Sequence, residues 1–277
     1  MRADPLTAVI EAGTPLVVLS PHLDDAVLSC GALMTHAMGR TQVRVVTFFT
    51  ESGAPPYTFS GRQYLRQVGQ PDAERLYRRR RAEDREVLAR LGAAWLHLGL
   101  VDGLFRRKSG APGRSPGRVR RVLPEVAHVY PTYRLHIATG RVSRHDARTL
   151  GRMLALLQEL AAPPRPVLLA PCGVGGHVDH VLVRTAAELS GEPVIYYSDF
   201  PYNQRHRLDP GFVDRASLIE VEWSRELAAK SALVRGYGSQ ARALFPGGRI
   251  PMVPETYLLA DGERANGRPN GGAPWLS

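Results

Sequence analysis

Cysteine is scarce in this chain of 277 residues, which contains only Cys30 and Cys172, far apart and in apolar or strand-end surroundings. Two isolated cysteines predict a reduced, cytoplasmic protein. Long apolar runs are also absent, so we expect no membrane-spanning segment. The N-terminus lacks the basic region and following apolar stretch of an export signal, and the sequence therefore does not predict secretion.

Lysine is nearly absent as well, since Lys108 and Lys230 are the only two. The formal net charge of +10 therefore comes almost wholly from arginine, which indicates a compositional bias more than a surface for an acidic partner. The sequence has no basic stripe interleaved with aromatic residues and no zinc-finger spacing. We expect no nucleic-acid partner, and the sequence makes no prediction of the oligomeric state.

Hydrophobic residues make up 44% of the sequence, and strand-like and helix-like segments alternate along it. This alternation predicts an α/β protein with a Rossmann-like three-layer fold, in which helices cover both faces of a mainly parallel sheet. The predicted strands are Pro15–Leu19, Gln42–Phe49, Trp95–Leu98 and Val167–Ala170, and the predicted helices are Ala26–Met34, Pro71–Gly92 and Leu150–Leu160. We expect residues 1–260 to form a single domain and the polar, glycine-rich residues 261–277 to form a disordered tail.

The segment Ser20–Asp25 carries an imidazole and two adjacent carboxylates directly after the first predicted strand. Open α/β sheets bind their ligands at this end of the strands. Neighbouring carboxylates repel each other, and a cation relieves the repulsion. His22 and Asp25 are suitable ligands for a zinc-type ion, which leaves Asp24 free to accept a proton. Alternatively, Asp24 or Asp25 caps the following helix.

A second polar cluster, Pro171–His180, follows the fourth predicted strand. Its glycines permit tight bends, and His177 and His180 face one direction if a helix begins there. Taken alone, such a pair is also typical of a surface or capping position. If the two strands are neighbours, however, His22, Asp25 and one of these histidines supply three ligands. Three protein ligands and an open position are typical of catalytic zinc, and they predict metal-assisted hydrolysis of an amide or ester.

Together the two motifs resemble those of the PIG-L (LmbE-like) family of zinc-dependent N-acetylglucosaminyl deacetylases. The first motif is His-x-Asp-Asp after a strand, and the second is a glycine-flanked His-x-Asp-His late in the chain. Further segments that are similar to the family follow one another along the sequence: Arg80–Asp84, Leu91–Ala93, Leu98–Gly103, Tyr196–Tyr202, Lys230 and Tyr237–Gln240. The resemblance covers most of the chain from Pro15 to about Gln240.

The resemblance implies a role for each matching residue of the two motifs. His22, Asp25 and His180 match the metal ligands of the family. Asp24 matches the general base. His177 matches the residue that stabilises the oxyanion and protonates the departing amine.

Three more residues receive roles from the resemblance. Asp179 would complete the catalytic set by orienting a neighbouring imidazole, as metal sites commonly require. Arg80 and Asp102 fall where family members hold sugar hydroxyls. The alternatives are a solvated helix face for Arg80 and a turn position for Asp102.

The sequence departs from the family at a few positions and keeps every implied ligand. Many members have proline in place of Leu23 and glutamate in place of Ala26. Some members also carry a tyrosine near Gly175 that assists the oxyanion, and its absence here requires another group. A tyrosine of the segment Tyr196–Tyr202 is a candidate, although this segment is equally typical of a strand that ends in a proline turn, and we expect its first two tyrosines to be structural.

The expected function is therefore metal-dependent hydrolysis that removes an N-acetyl or other N-acyl group from an amino sugar. The partner would be a small-molecule or glycoconjugate substrate, such as a secondary metabolite. We expect Zn²⁺ as the cofactor, although Fe²⁺ or Co²⁺ suits the same ligands. One alternative is an amidase that cleaves a thiol-sugar conjugate, and another is a non-catalytic sugar-binding module. The intact set of charged and imidazole groups in both motifs argues against the module.

The segment Arg106–Arg121 holds several arginines among glycine, serine and proline. This composition predicts a mobile surface loop with solvated charges. A lid that steers the substrate is the alternative, because loops on a rigid scaffold often determine specificity.

Overall fold

A computed structural model describes residues 4–108, 123–161 and 163–260 of the chain. Within these ranges seven strands form one sheet in the order β3-β2-β1-β4-β5-β7-β6. The strands are β1 (Leu16–Ser20), β2 (Val43–Glu51), β3 (Ala94–Val101), β4 (Val167–Pro171), β5 (Val194–Tyr197), β6 (Leu218–Trp223) and β7 (Glu255–Ala260). The expected tail, residues 261–277, and residues 109–122 of the arginine-rich segment lie outside the described ranges.

Helices accompany the strands along the described chain. They are α1 (Pro5–Glu11), α2 (Asp25–Ala37), α3 (Phe59–Gln67), α4 (Ala73–Leu91), α5 (Pro124–Ala127), α6 (Tyr133–Thr139), α7 (Ala147–Leu160), α8 (Val178–Ser190), α9 (Pro210–Ala216), α10 (Leu227–Val234) and α11 (Gly238–Leu244), with 3-10 turns at Arg144–Asp146 and Tyr202–Gln204. Among these helices, none combines the length and the apolar character that crossing a membrane requires.

Strand β1 lies in the middle of the sheet and is buried along its whole length. Val18 packs into one apolar core, whereas Val17 and Leu19 pack into another. Because successive side chains of a strand point to opposite faces, the sheet has a core on each side. A strand covered on both faces is apolar throughout, which explains the continuous run Leu16–Leu19. The predicted α/β fold is confirmed.

The order of the strands brings the two motifs together. Strand β1 pairs in parallel with β2 on one side and with β4 on the other. The carboxyl ends of β1 and β4 are therefore adjacent, and the hypothesis that these two strands are neighbours is confirmed. Only at the far edge does the sheet change direction, where β7 runs antiparallel to both β5 and β6.

The predicted elements are present, with bounds that differ by a few residues. The largest differences are in β3, which was predicted as Trp95–Leu98 and continues to Val101, and in α2, which was predicted as Ala26–Met34 and continues to Ala37. Seven helices of four to nine residues were not predicted, because helices this short leave no extended apolar stripe in the sequence: α1, α3, α5, α6, α9, α10 and α11. In α6, for example, Tyr133 is the buried residue.

Helix α4 carries one of the predicted site residues on its buried face. Asp72 caps its N-terminus by accepting a hydrogen bond from the Arg75 amide at 2.7 Å, and Gly92 ends it in the left-handed conformation. Leu76 and Arg80 are one turn apart on the buried stripe. Burial of Leu76 therefore places Arg80 on the buried face of α4, where its guanidinium reaches Asp24 after β1.

A buried ion pair joins α10 to β7, and breaking it is expected to destabilise the fold. Nζ of Lys230 lies 3.0 Å from Oε1 of Glu255, and both side chains are buried. Replacing Lys230 by methionine leaves the Glu255 carboxylate without its cation, and we expect a loss of about 3–5 kcal/mol in the free energy of unfolding, measured by denaturant titration. The exposed pair of Arg90 and Glu86 is the control, because Arg90→Met should cost at most about 1 kcal/mol. Equal losses in the two variants would contradict the prediction.

Candidate active site

The two motifs meet at the adjacent carboxyl ends of β1 and β4. His22 follows β1, while His177 and His180 lie at the start of α8, which follows β4. The ring of His22 lies 4.8 Å from that of His177 and 5.3 Å from that of His180, measured between centroids. Residues that are more than 150 positions apart in sequence thus share one buried cluster.

The three predicted metal ligands lie side by side. Oδ2 of Asp25 is 3.1 Å from Nδ1 of His22 and 3.3 Å from Nε2 of His180. The opposite nitrogen of each ring faces a second carboxylate: Nδ1 of His180 is 2.6 Å from Asp199, and Nε2 of His22 is 3.1 Å from Asp179. Histidines that bind metals are typically oriented in this way by a carboxylate on the far nitrogen.

The cluster fits a divalent cation. Nε2 of His180 is buried and has no hydrogen-bond partner among the described residues, as expected of a ligand atom that faces an ion. Two sets of potential ligand atoms lie within 4.8 Å of one another: one is His22, His177 and His180, and the other is His22, Asp102 and Asp179. Both include His22 and one includes His180, whereas neither includes Asp25, the third predicted ligand. Imidazole and carboxylate ligands together suit Zn²⁺ and related divalent ions.

The electrostatics of the cluster also favour a cation. Burial lowers the pKa of His22, but the nearby carboxylates, chiefly Asp102 and Asp179, outweigh it and raise the pKa to about 9. Burial likewise lowers the pKa of His180, and the carboxylates of Asp25 and Asp199 raise it well above its usual range. Both imidazoles therefore sit in a strongly negative environment, which a bound divalent ion would stabilise.

Asp24 occupies the N-cap position of α2, yet its side chain makes no capping hydrogen bond. Its Oδ1 instead accepts a hydrogen bond from Nη2 of Arg80 at 3.1 Å. Burial raises the pKa of Asp24 to about 7, although the Arg80 guanidinium lowers it. Asp25 directs its carboxylate to the backbone amide of His22 rather than into the first turn. The capping alternative therefore does not account for either aspartate.

Arg80 and Asp102 both line the pocket in front of the cluster, together with Asp24 and His177. Arg80 is 5% exposed, so the alternative of a solvated helix face is wrong. Asp102 serves two purposes: Oδ1 accepts the Leu104 amide in a turn, and Oδ2 accepts the hydroxyl of Tyr77. The turn alternative for Asp102 is thus compatible with a position on the pocket wall.

The comparisons with known proteins agree with this geometry. The family described as GlcNAc-PI de-N-acetylase, PIG-L, matches residues 17–189, which include both motifs. The chain belongs to the PIG-L family. Individual relatives are similar across most of the chain. The 2'-N-acetylparomamine deacetylase of Niallia circulans is 26% identical over 82% of this chain and 81% of that protein. The enzyme of the same description from Streptomyces fradiae is 29% identical over 70% of this chain and 60% of its own length.

Solved structures share the fold of this PIG-L family member. The A40926 pseudoaglycone deacetylase has a TM-score of 0.62 at 22% identity, covering 89% of this chain and 97% of that one. The zinc-inhibited form of teicoplanin deacetylase has a TM-score of 0.63 at 22% identity, covering 90% of this chain and 100% of that one. The shared α/β fold therefore covers more of the chain than residues 17–189, which the PIG-L family model matches.

The sequence assigned no role at the site to three residues that the structure places there. Asp199 follows β5 and binds His180, as described above. Tyr133 opens α6, and its hydroxyl lies 2.7 Å from Nε2 of His177. Arg106 donates to Oδ1 of Asp179 at 2.7 Å. Only Asp199 carries a signal in the sequence, because it lies in the segment Tyr196–Tyr202, which is similar to the family and equally typical of a strand that ends in a proline turn.

The interpretation of Arg106 as a solvated charge in a mobile loop is wrong. Its side chain is buried, and besides Asp179 it contacts Asp146 at 3.2 Å. Glycine, serine and proline around an arginine indicate a loop, but they carry no information on distant carboxylates. The two tyrosines expected to be structural do pack in the core, since Tyr196 contacts Phe212 and the Tyr197 hydroxyl donates to the backbone of β1.

Proposed function

We propose that this protein is a metal-dependent hydrolase that removes an N-acetyl group from an amino sugar, within a larger glycoconjugate or secondary metabolite. One observation carries the proposal: a pocket lined by Asp24 opens onto the cluster of His22, Asp25 and His180. Membership of the PIG-L family and the similarity to two acetylparomamine deacetylases support it.

His22, Asp25 and His180 are proposed to hold the cation, and Zn²⁺ is the first candidate, with Fe²⁺ or Co²⁺ as alternatives. When bound, such an ion would polarise the amide carbonyl and lower the pKa of a water molecule. Asp179 and Asp199 would fix the two imidazoles through their far nitrogens. No other cofactor is required for hydrolysis of an amide.

Asp24 is proposed to be the general base. As the oxygen of water bonds to the amide carbonyl carbon, Asp24 accepts one proton of that water. The C–N bond then breaks, and this proton passes from Asp24 to the amine nitrogen, so that the products are the free amine and acetic acid, which ionises to acetate in water. The hydrogen bond from Arg80 keeps the Asp24 carboxylate directed at the pocket. His177 faces the same pocket, where it supports the negative charge that develops on the carbonyl oxygen.

The sugar is proposed to contact the outer pocket wall, which includes Arg80 and Asp102. Both can hydrogen-bond hydroxyl groups: the guanidinium donates and the carboxylate accepts. Tyr64, Gln67 and Gln240 complete this wall with polar groups. A pocket of this composition suits a polyhydroxylated ring better than an apolar ligand.

The proposal is tested by offering the protein N-acetylated amino sugars, free and within glycoconjugates, together with thiol-sugar conjugates. We expect one acetate per amine released, complete loss of activity after chelation, and recovery with Zn²⁺. Release of a larger acid without acetate would instead support the amidase alternative. Sugar binding without any product, in a protein that holds no stoichiometric metal, would contradict the proposal and indicate a binding module.

A further inference from the structure

Tyr133 contributes a hydroxyl group to the pocket from an element that lies outside both motifs. It is the first residue of α6 and is 8% exposed. Its side chain lines the same pocket as Asp24 and His22. Its hydroxyl oxygen lies 2.7 Å from Nε2 of His177.

Helix α6 reaches the site because the loop after β4 has no side chain at Gly176. Gly176 has a φ of +73°, and a Cβ built there would overlap the carbonyl oxygen of Ile137 in α6. The same Cβ would lie 3.3 Å from Gly140, the C-cap of the helix. The glycine loop is therefore the surface on which α6 packs, and this packing delivers Tyr133 to the imidazole.

The backbone determines which nitrogen of His177 carries the proton. The amide of Asp179 donates to Nδ1 of His177 at 3.3 Å, so Nδ1 is an acceptor and bears no proton. The neutral ring then has its proton on Nε2, which faces the Tyr133 oxygen. With its oxygen accepting this hydrogen bond, the Tyr133 hydroxyl keeps its own proton free for another partner.

We propose that Tyr133 donates this proton in a hydrogen bond to the amide carbonyl oxygen of the substrate as the oxygen becomes negatively charged. The inference rests on the deacetylase function proposed above. The proton stays on Tyr133 throughout: the electron pair of the C=O bond moves to the oxygen when water adds, and returns when the C–N bond breaks. The support that His177 gives to the charge on the carbonyl oxygen therefore passes through Tyr133, whose phenol oxygen the imidazole holds. Tyr133 is the catalytic residue that contacts the reacting oxygen.

Tyr202 is the rival for this role. It lines the same pocket, and its ring lies 5.7 Å from that of His180. In the part of the chain that the structure describes, however, its hydroxyl has no hydrogen-bond partner, so no neighbouring group orients it. Preorganised donors contribute most to catalysis because their orientation costs nothing during the reaction. This difference favours Tyr133.

The experiment compares Tyr133→Phe with Tyr202→Phe on an N-acetylated amino sugar that the wild-type protein hydrolyses. For Tyr133→Phe we expect kcat to fall about 100- to 1,000-fold, with KM changed by at most about twofold, because the lost hydrogen bond forms only in the transition state. Because Tyr202 also lines the pocket, its replacement can weaken substrate binding, but Tyr202→Phe should lower kcat at least about 10-fold less than Tyr133→Phe does. A normal kcat in Tyr133→Phe, or a large loss confined to Tyr202→Phe, would overturn the proposal.

A second measurement separates this inference from the proposed function. In protein labelled with ¹⁵N-histidine, NMR should show His177 as the Nε2–H tautomer, with an Nε2 proton that exchanges faster with solvent in Tyr133→Phe. An Nδ1–H tautomer would overturn the inference even if the protein is a deacetylase. If the wild type hydrolyses no N-acetylated sugar but shows the expected NMR result, the proposed function is refuted. The hydrogen bond between His177 and Tyr133 is then still supported. Thermal unfolding of both variants confirms that they fold.

Discussion

Replacing Asp24 by asparagine is expected to lower turnover about 100- to 10,000-fold, the range that a positioned general base contributes. Asparagine has nearly the same shape and can still accept the hydrogen bond from Arg80, but it cannot take a proton from water. Metal binding should persist, because Asp24 is not among the three proposed ligands. The measurements are kcat for acetate release and the metal content of the purified variant, which should equal that of the wild type.

The control for this prediction is Asp84→Asn. Asp84 is also a buried aspartate, but it binds His97 and Tyr237 and does not line the pocket. Its replacement should lower stability with no comparable loss in turnover. If Asp24→Asn retained wild-type turnover, Asp24 would not be the base, whereas equal losses of turnover in both variants would point to a general effect of removing buried charge.

The sequence predicted that the two motifs of the candidate site lie together, because each motif follows a strand of recognisable composition. The apolar run of β1 is followed within a few residues by His22, Asp24 and Asp25, and that of β4 is followed by a glycine-rich loop that leads to His177 and His180. Parallel strands place such ends at one edge of a sheet. Adjacency of the two strands remained a hypothesis. Hydrogen bonds between distant strands decide it, and no local pattern encodes them.

Asp199 shows where prediction from the sequence stops. Its carboxylate contacts His180 only because β5 pairs with β4, which carries the neighbouring loop. Arg106 is similar, since its burial depends on Asp146 and Asp179, which approach it from two other elements. Tyr133 was missed because α6 buries one residue and leaves no periodic signal. In all three cases the missing information is the packing of whole elements.

Replacing His180 by alanine is expected to abolish stoichiometric metal binding. Its Nε2 is the buried atom without a hydrogen-bond partner that faces Asp25, and alanine leaves only two of the three proposed ligands. Asp199→Asn should have a smaller effect, about a 10- to 100-fold loss in metal affinity, because it weakens only the orientation of the imidazole. Elemental analysis of the purified proteins and titration of Zn²⁺ into the metal-free proteins measure both effects.

The pair of His97 and Asp84 provides the matched control for this series. Nε2 of His97 lies 2.7 Å from Oδ2 of Asp84, so His97→Ala also breaks a histidine–aspartate contact, but outside the pocket. It should bind metal like the wild type. Metal affinity should fall in the order wild type, Asp199→Asn, His180→Ala, because Asp199 only orients the imidazole whereas His180 is a proposed ligand. Full zinc occupancy in His180→Ala would place the ion elsewhere, and the set of His22, Asp102 and Asp179 would then be tested instead.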